Sequence, residues 1–137
     1  MVAYSFKARF APKILDGSKD QTIRLPRANG HAEPGSALQL YVGMRTRQCR
    51  LIARTTCLSL HRCRLVFWPV IEIEVDREKL RGDELDEFAR RDGFSDLKDM
   101  AQFWSSTHDL HGSSKARAHV FEGVIVRWAP LQEEPTP

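Results

Sequence analysis

The apolar positions of this chain recur mostly in twos. In YSFKARF, Tyr4, Phe6, Ala8 and Phe10 alternate with Ser5, Lys7 and Arg9, which predicts an opening strand with one covered face. PKILDG then reads as a single short helical turn, with Pro12 in its first turn and Gly17 able to take the left-handed conformation that ends it. QTIRL predicts a second strand. If Ile23 and Leu25 face the core, the pleat sends Thr22 and Arg24 together to the opposite side. PRANGHAEPGSA is a loop rich in Pro, Gly and Asn that can rim a site, and LQLYV after it puts Leu38, Leu40 and Val42 on one face. CRLIARTTCLSL, RLVF and IEIEV predict a meander of further strands, the last alternating Ile71, Ile73 and Val75 against Glu72 and Glu74.

Helical spacing enters late. DELDEFARRDG predicts a helix with Asp83 as N-cap, Leu85, Phe88 and Ala89 as its apolar stripe, and Gly93 as its stop. SDLKDMAQFWSST predicts a second, capped by Ser95 with Asp96 in the first turn, and burying Leu97, Met100, Ala101 and Trp104. VFEGVIVRW closes the body as an apolar strand. Strands without βαβ alternation, joined by two late helices, predict an α+β domain: a small, mostly antiparallel β-barrel with covering helices. That domain spans residues 1–129, and residues 130–137, ending in the acidic, Pro-rich PLQEEPTP, form a flexible tail.

Composition narrows the classes. With 137 residues, 42% of them hydrophobic, the chain can bury one core. No apolar run reaches the ~20 residues of a membrane span, and MVAYSFKARF lacks a secretory apolar stretch, so a soluble cytoplasmic protein without membrane contact is expected. Cys49, Cys57 and Cys63 are odd in number and form no C-x-x-C, and His108 and His111 make only a loose pair. Neither a disulfide framework nor a metal site is expected, and no cofactor is called for. Cys49 and Cys57, in strand-like sequence, read as small buried thiols.

Charge divides the chain. Residues 1–64 carry 12 Lys and Arg against 3 Asp and Glu, a balance of +9, whereas residues 65–137 balance at −6. A basic half suits a polyanionic partner. The same cations could instead sit on wet strand faces and pair with the acidic helices.

The stretch GSKDQTIR concentrates the candidate chemistry by placing Lys19, Thr22 and Arg24 within one turn and strand, although Gly-Ser-Lys-Asp is equally the composition of a solvated connection. A strand, a short helix ending in Gly, G-x-K-x-x-T-x-R, E-P-G before LQLY, the helix pair around FARRDGFSDLKDMAQFW and the closing FEGVIVRW together resemble the ASCH domain, a branch of the PUA-like superfamily, over most of residues 3–128. The resemblance implies a barrel with a cleft beside the lysine turn, used for RNA or modified nucleosides. One branch, the small bacterial 4-acetylcytidine amidohydrolases, is similar at the lysine and threonine of the turn and at a carboxylate ahead of the second helix, which fall on Lys19, Thr22 and Asp92. Aspartate stands here where that pattern has glutamate. Another ASCH branch is linked to single-stranded RNA cleavage.

Two functions therefore compete for one cleft. As a binding site, Lys19 and Arg24 would hold phosphates, the helix N-terminus at Ser95 would add N–H donors, and Tyr41 would stack on a base, with Arg45 among the surrounding cations. As a hydrolase, Thr22 would attack an acyl carbonyl after losing its proton to a neutral Lys19. Binding of RNA or a modified nucleoside ranks first.

Overall fold

The computed structural model describes residues 2–107 and 120–131. In chain order the strands are β1 (Val2–Phe6), β2 (Gln21–Arg24), β3 (Ala37–Val42), β4 (Arg50–Val66), β5 (Glu72–Val75), β6 (Glu78–Lys79) and β7 (Val120–Trp128). The α-helices are α1 (Ala11–Leu15), α2 (Asp83–Arg91) and α3 (Leu97–Thr107). The described residues thus form an α+β fold on one mixed, mostly antiparallel sheet of seven strands.

The long strand β4 organises this sheet. The sequence predicts two strands here, but no Gly or Pro interrupts residues 50–66, so the chain continues as one, re-registered by a bulge between Cys57 and Ser59. Its first half pairs with β3 and its second half with β7 and β5. Two pairings escape the hydrophobic pattern: β1 lies parallel to β3, and the short β6 hairpins onto β5. The described strands do not close into a ring, since β2 pairs only with β7 and β1 only with β3.

Local departures have local causes. The opening strand stops at Phe6, and Ala8–Phe10 tightens into a 3-10 turn leading to Pro12 and α1. Helix α2 starts at Asp83 itself after Gly82, so Asp83 is its first residue rather than its cap. Helix α3 starts at Leu97, and its cap is Asp96, whose Oδ1 accepts from the Asp99 amide at 2.8 Å. Cys49 is exposed in the turn before β4, against the expectation of burial, while Cys57 and Cys63 are buried. Leu25, expected in the core, is 65% exposed.

The core joins Tyr4 and Phe6 of β1 to Leu38 and Leu40 of β3, and Ile125 of β7 to Leu65, Met100 and Trp104, as the pattern implies. Leu131, placed in the tail by the sequence, packs against this core; residues 132–137, and the His108 and His111 pair, lie outside the described residues. No described helix is long and apolar enough to cross a membrane.

Candidate functional site

The lysine turn is built by its own backbone chemistry. Gly17, at φ 85°, ends α1, and the Asp16 carboxylate accepts from the Ser18 amide at 2.8 Å and hydroxyl at 2.6 Å. The Lys19 amide then returns to the Lys13 carbonyl at 2.9 Å. One residue on, the Asp20 amide donates to the Arg91 carbonyl at 3.0 Å, and the Arg91 guanidinium grips the Asp20 carboxylate at 3.0 and 3.1 Å. This clasp sets residues 19–20 against residues 91–92, the C-terminal end of α2. Gly93, at φ 99°, turns the chain there, and a Cβ on it would stand 2.8 Å from both Lys19 Cδ and Phe10 Cδ1.

Lys19 and Asp92 meet as a result. Lys19 is 3% exposed and Asp92 5%. Lys19 Nζ donates to the carbonyls of Gln21 at 2.7 Å and Asp92 at 2.6 Å, and lies 3.5 Å from Asp92 Oδ1. The faces of Phe10 and Phe6 lie 5.0 and 5.5 Å from the cation. Burial pushes the lysine pKa down against the pull of Asp92, and burial pushes the Asp92 carboxyl up against the pull of Lys19. Asp92 Oδ1 has no hydrogen-bond partner, and neither has the neighbouring Gln21 Nε2.

Thr22 and Arg24 share a face of β2, as the alternation predicts, but that face is enclosed. Thr22 is 5% exposed, and its Oγ accepts from Arg24 Nε at 3.0 Å. Arg24 Nη2 reaches the Ser5 carbonyl at 2.6 Å, with the guanidinium over Phe6 and Tyr4 at 5.0 and 5.3 Å. Lys19, Thr22, Arg24 and Asp92 all line one cavity of about 320 Å³ walled by Phe6, Phe10, Phe94, Phe103 and Trp104. Sequence reasoning assigned Phe6 and Phe10 to the core; only the fold shows that their rings border a pocket.

Three predicted binding residues stand outside this cavity. Tyr41 donates its hydroxyl to Gln39 Oε1 at 3.0 Å and does not line the cavity. Arg45 is exposed in the β3–β4 connection at φ 67°. The expectation that the helix N-terminus at Ser95 offers free donors fails: the Ser95 amide binds Asp99 Oδ2 at 2.9 Å, the Leu97 amide binds Asp86 Oδ1 at 2.9 Å, and the Asp99 amide binds Asp96. Carboxylates already satisfy that helix end and would repel a phosphate. Among the described residues no group of three His, Cys, Asp or Glu could hold a metal ion. No family model, curated protein or solved structure matches the chain.

Proposed function

We propose that this chain is an ASCH-type, PUA-like domain whose cavity takes the base of a modified nucleoside or of single-stranded RNA. The observation that carries this reading is the convergence of Lys19, Thr22, Arg24 and Asp92, from two distant parts of the sequence, on one aromatic-walled cavity. Flat rings suit a planar base, and Thr22 and Arg24 add polar groups to the wall it would meet. Phosphates would then fall to exposed cations rather than to Lys19, whose ammonium is occupied by carbonyls. Arg45, Arg47, Arg50 and Arg54 are exposed and have no ion-pair partner among the described residues. Arg45 and Arg47 lie in the β3–β4 connection, which adjoins the cavity through Ser5, a lining residue whose Oγ accepts from the Met44 amide at 3.1 Å. A barrel-like closure would rest on side chains that span the open seam between β1 and β2, Arg24 to Ser5 foremost.

A hydrolase in the same cavity is the second reading, and the Thr22–Arg24 contact favours it. A guanidinium N–H on the threonine oxygen stabilises an alkoxide but cannot accept its proton, so the base would have to be Lys19 in its neutral form, which burial promotes. Thr22 Oγ would bond to the acyl carbon as its proton passes to Lys19, the acyl C–N bond would break with the leaving amine taking that proton, and water would then release the acyl group from Thr22 as a carboxylic acid.

The test is a titration of N4-acetylcytidine and of a short single-stranded RNA against wild type and Thr22→Val, with product analysis alongside. Binding without turnover supports the first reading, and turnover that Thr22→Val abolishes supports the second. Absence of both overturns the proposal.

A further inference from the structure

A second constellation, Ser59, His61 and Asp76, lies outside the Thr22 cavity. The register places Gln21, Arg127 and Ser59 in one row across β2, β7 and β4, and Ile23, Ile125 and His61 in the row two residues on, whereas Thr22 belongs to the intervening row. Ser59 and His61, two apart on β4, therefore share one face of the strand. There, Ser59 Oγ lies 2.9 Å from His61 Nε2, and His61 Nδ1 lies 2.6 Å from Asp76 Oδ2. The tautomer that satisfies both contacts has Nδ1–H donating to the carboxylate and Nε2 accepting from the serine hydroxyl. That is the arrangement in which a serine becomes a nucleophile.

The carboxylate is held in place independently of the histidine. Its Oδ1 accepts from the Arg62 amide at 3.1 Å, and the Asp76 amide donates to the Arg62 carbonyl at 2.8 Å. Asp76 and Arg77 form the β5–β6 turn with φ of 50° and 70°, a conformation that L residues seldom adopt in succession. The His61 contact and the Arg62 amide keep the Asp76 carboxyl below its usual range, so it remains the anion that orients an imidazolium. Arg127, the register partner of Ser59, spends Nε on Gln21 Oε1 at 3.2 Å, and its terminal nitrogens have no partner among the described residues. They supply donors for a developing oxyanion beside Ser59.

We propose that Ser59, His61 and Asp76 form a nucleophilic site that accepts acyl groups from small activated esters. Ser59 Oγ bonds to the acyl carbon while its proton passes to His61 Nε2. The ester C–O bond breaks, the leaving alkoxide takes that proton, and Asp76 stabilises the transient imidazolium. Water attacks the acyl-serine by the same route and releases the carboxylic acid. The site is partly buried and lines none of the cavities described, so small acyl groups fit it and extended substrates gain no grip.

Reaction with a fluorophosphonate probe tests this without depending on the function of the Thr22 cavity. Ser59 Oγ would bond to phosphorus as fluoride leaves and His61 takes the proton. We expect one adduct on native protein, mapped by peptide mass spectrometry to Ser59 and absent after urea denaturation. His61→Gln should slow labelling about 10²-fold or more, with native melting retained, and Asp76→Asn should slow it as well. The proposal is overturned if wild type is unlabelled, if the adduct maps to Thr22 or another hydroxyl, or if His61→Gln is labelled as fast as wild type.

Discussion

Arg24 on β2 donates to the carbonyl oxygen of Ser5 on β1 at 2.6 Å, across the seam where no strand ladder joins these two edges. One side chain thus replaces part of the missing backbone pairing and, through Nε, also fixes the Thr22 hydroxyl. Arg24→Met keeps the apolar stem and removes both bonds. It should cost about 1.5–3 kcal/mol, the usual range for hydrogen bonds to charged groups, seen as a lower urea midpoint at unchanged m. An unchanged midpoint would show that the seam holds without it.

Lys19 and Asp92 depend on each other for charge compensation inside the protein. Lys19→Met leaves the Asp92 carboxyl buried without its cation, at a cost of about 3–5 kcal/mol. Adding Asp92→Asn should recover part of that loss, since the double variant has no buried charge at this point. Denaturation of Lys19→Met, Asp92→Asn and the double variant measures the coupling, and strictly additive losses would contradict it.

Gly93 sits where a methyl group has no room. Gly93→Ala combines a left-handed backbone at φ 99° with contacts of 2.8 Å to Phe10 and Lys19, and should destabilise by about 2 kcal/mol or more while distorting the cavity. Thermal melting together with nucleoside affinity reports both effects. Gly17→Ala, at φ 85° in open space, should bear only the backbone cost.

His31 spans the same seam from the loop side, with Nε2–H donating to the Leu25 carbonyl at 2.8 Å and Nδ1 accepting from the Tyr4 hydroxyl at 2.8 Å. Burial, then Arg27 and Arg24, lower its pKa from 6.5 against the opposing pull of the Leu25 carbonyl. The unfolded chain therefore binds this proton more readily than the folded one. The stabilising contribution is full above pH 6.5 and is lost as pH falls through the lower folded value. Melting temperatures of wild type and His31→Gln, compared from pH 7.5 to 5, should converge toward the acid end; parallel curves would exclude His31 as the cause.

If phosphates track the arginines of the β3–β4 connection, RNA affinity should fall with salt, each contact adding about 0.7 to the slope of log K against log salt. Arg45→Ala and Arg47→Ala should each flatten that slope and leave mononucleoside affinity in place. A slope insensitive to both substitutions would remove these residues from the interface.

The strands were legible where one face is covered. Tyr4 and Phe6, Leu38 and Leu40, and the stripe of Met100 and Trp104 were read correctly because burial imposes a period on the residues themselves. Partners of strands were not legible, since nothing in YSF or LQLYV encodes that β1 and β3 run parallel. Helix α3 shows a similar limit: Ser95 and Asp96 are both good caps, and the choice of Asp96 goes with a network in which Asp99 and Asp86 take the remaining amides.

By itself the sequence determined that Lys19 follows a glycine-ended turn and that Thr22 and Arg24 share one face of a strand, because φ preferences and the period of the pleat act over a few residues. Only the tertiary structure decided that this face is the inside of a cavity. The Asp20–Arg91 clasp carries Asp92 from 73 positions away to Lys19, and burial there shifts the protonation of both against their mutual attraction, in a way no local spacing specifies. The Ser59–His61–Asp76 relay divides similarly. Alternation puts the serine and histidine side by side, but the aspartate reaches them only because β5 pairs with β4 and turns into β6 at that point. Local conformation depends on near neighbours, whereas solvent exclusion and charge pairing depend on what the rest of the chain brings close.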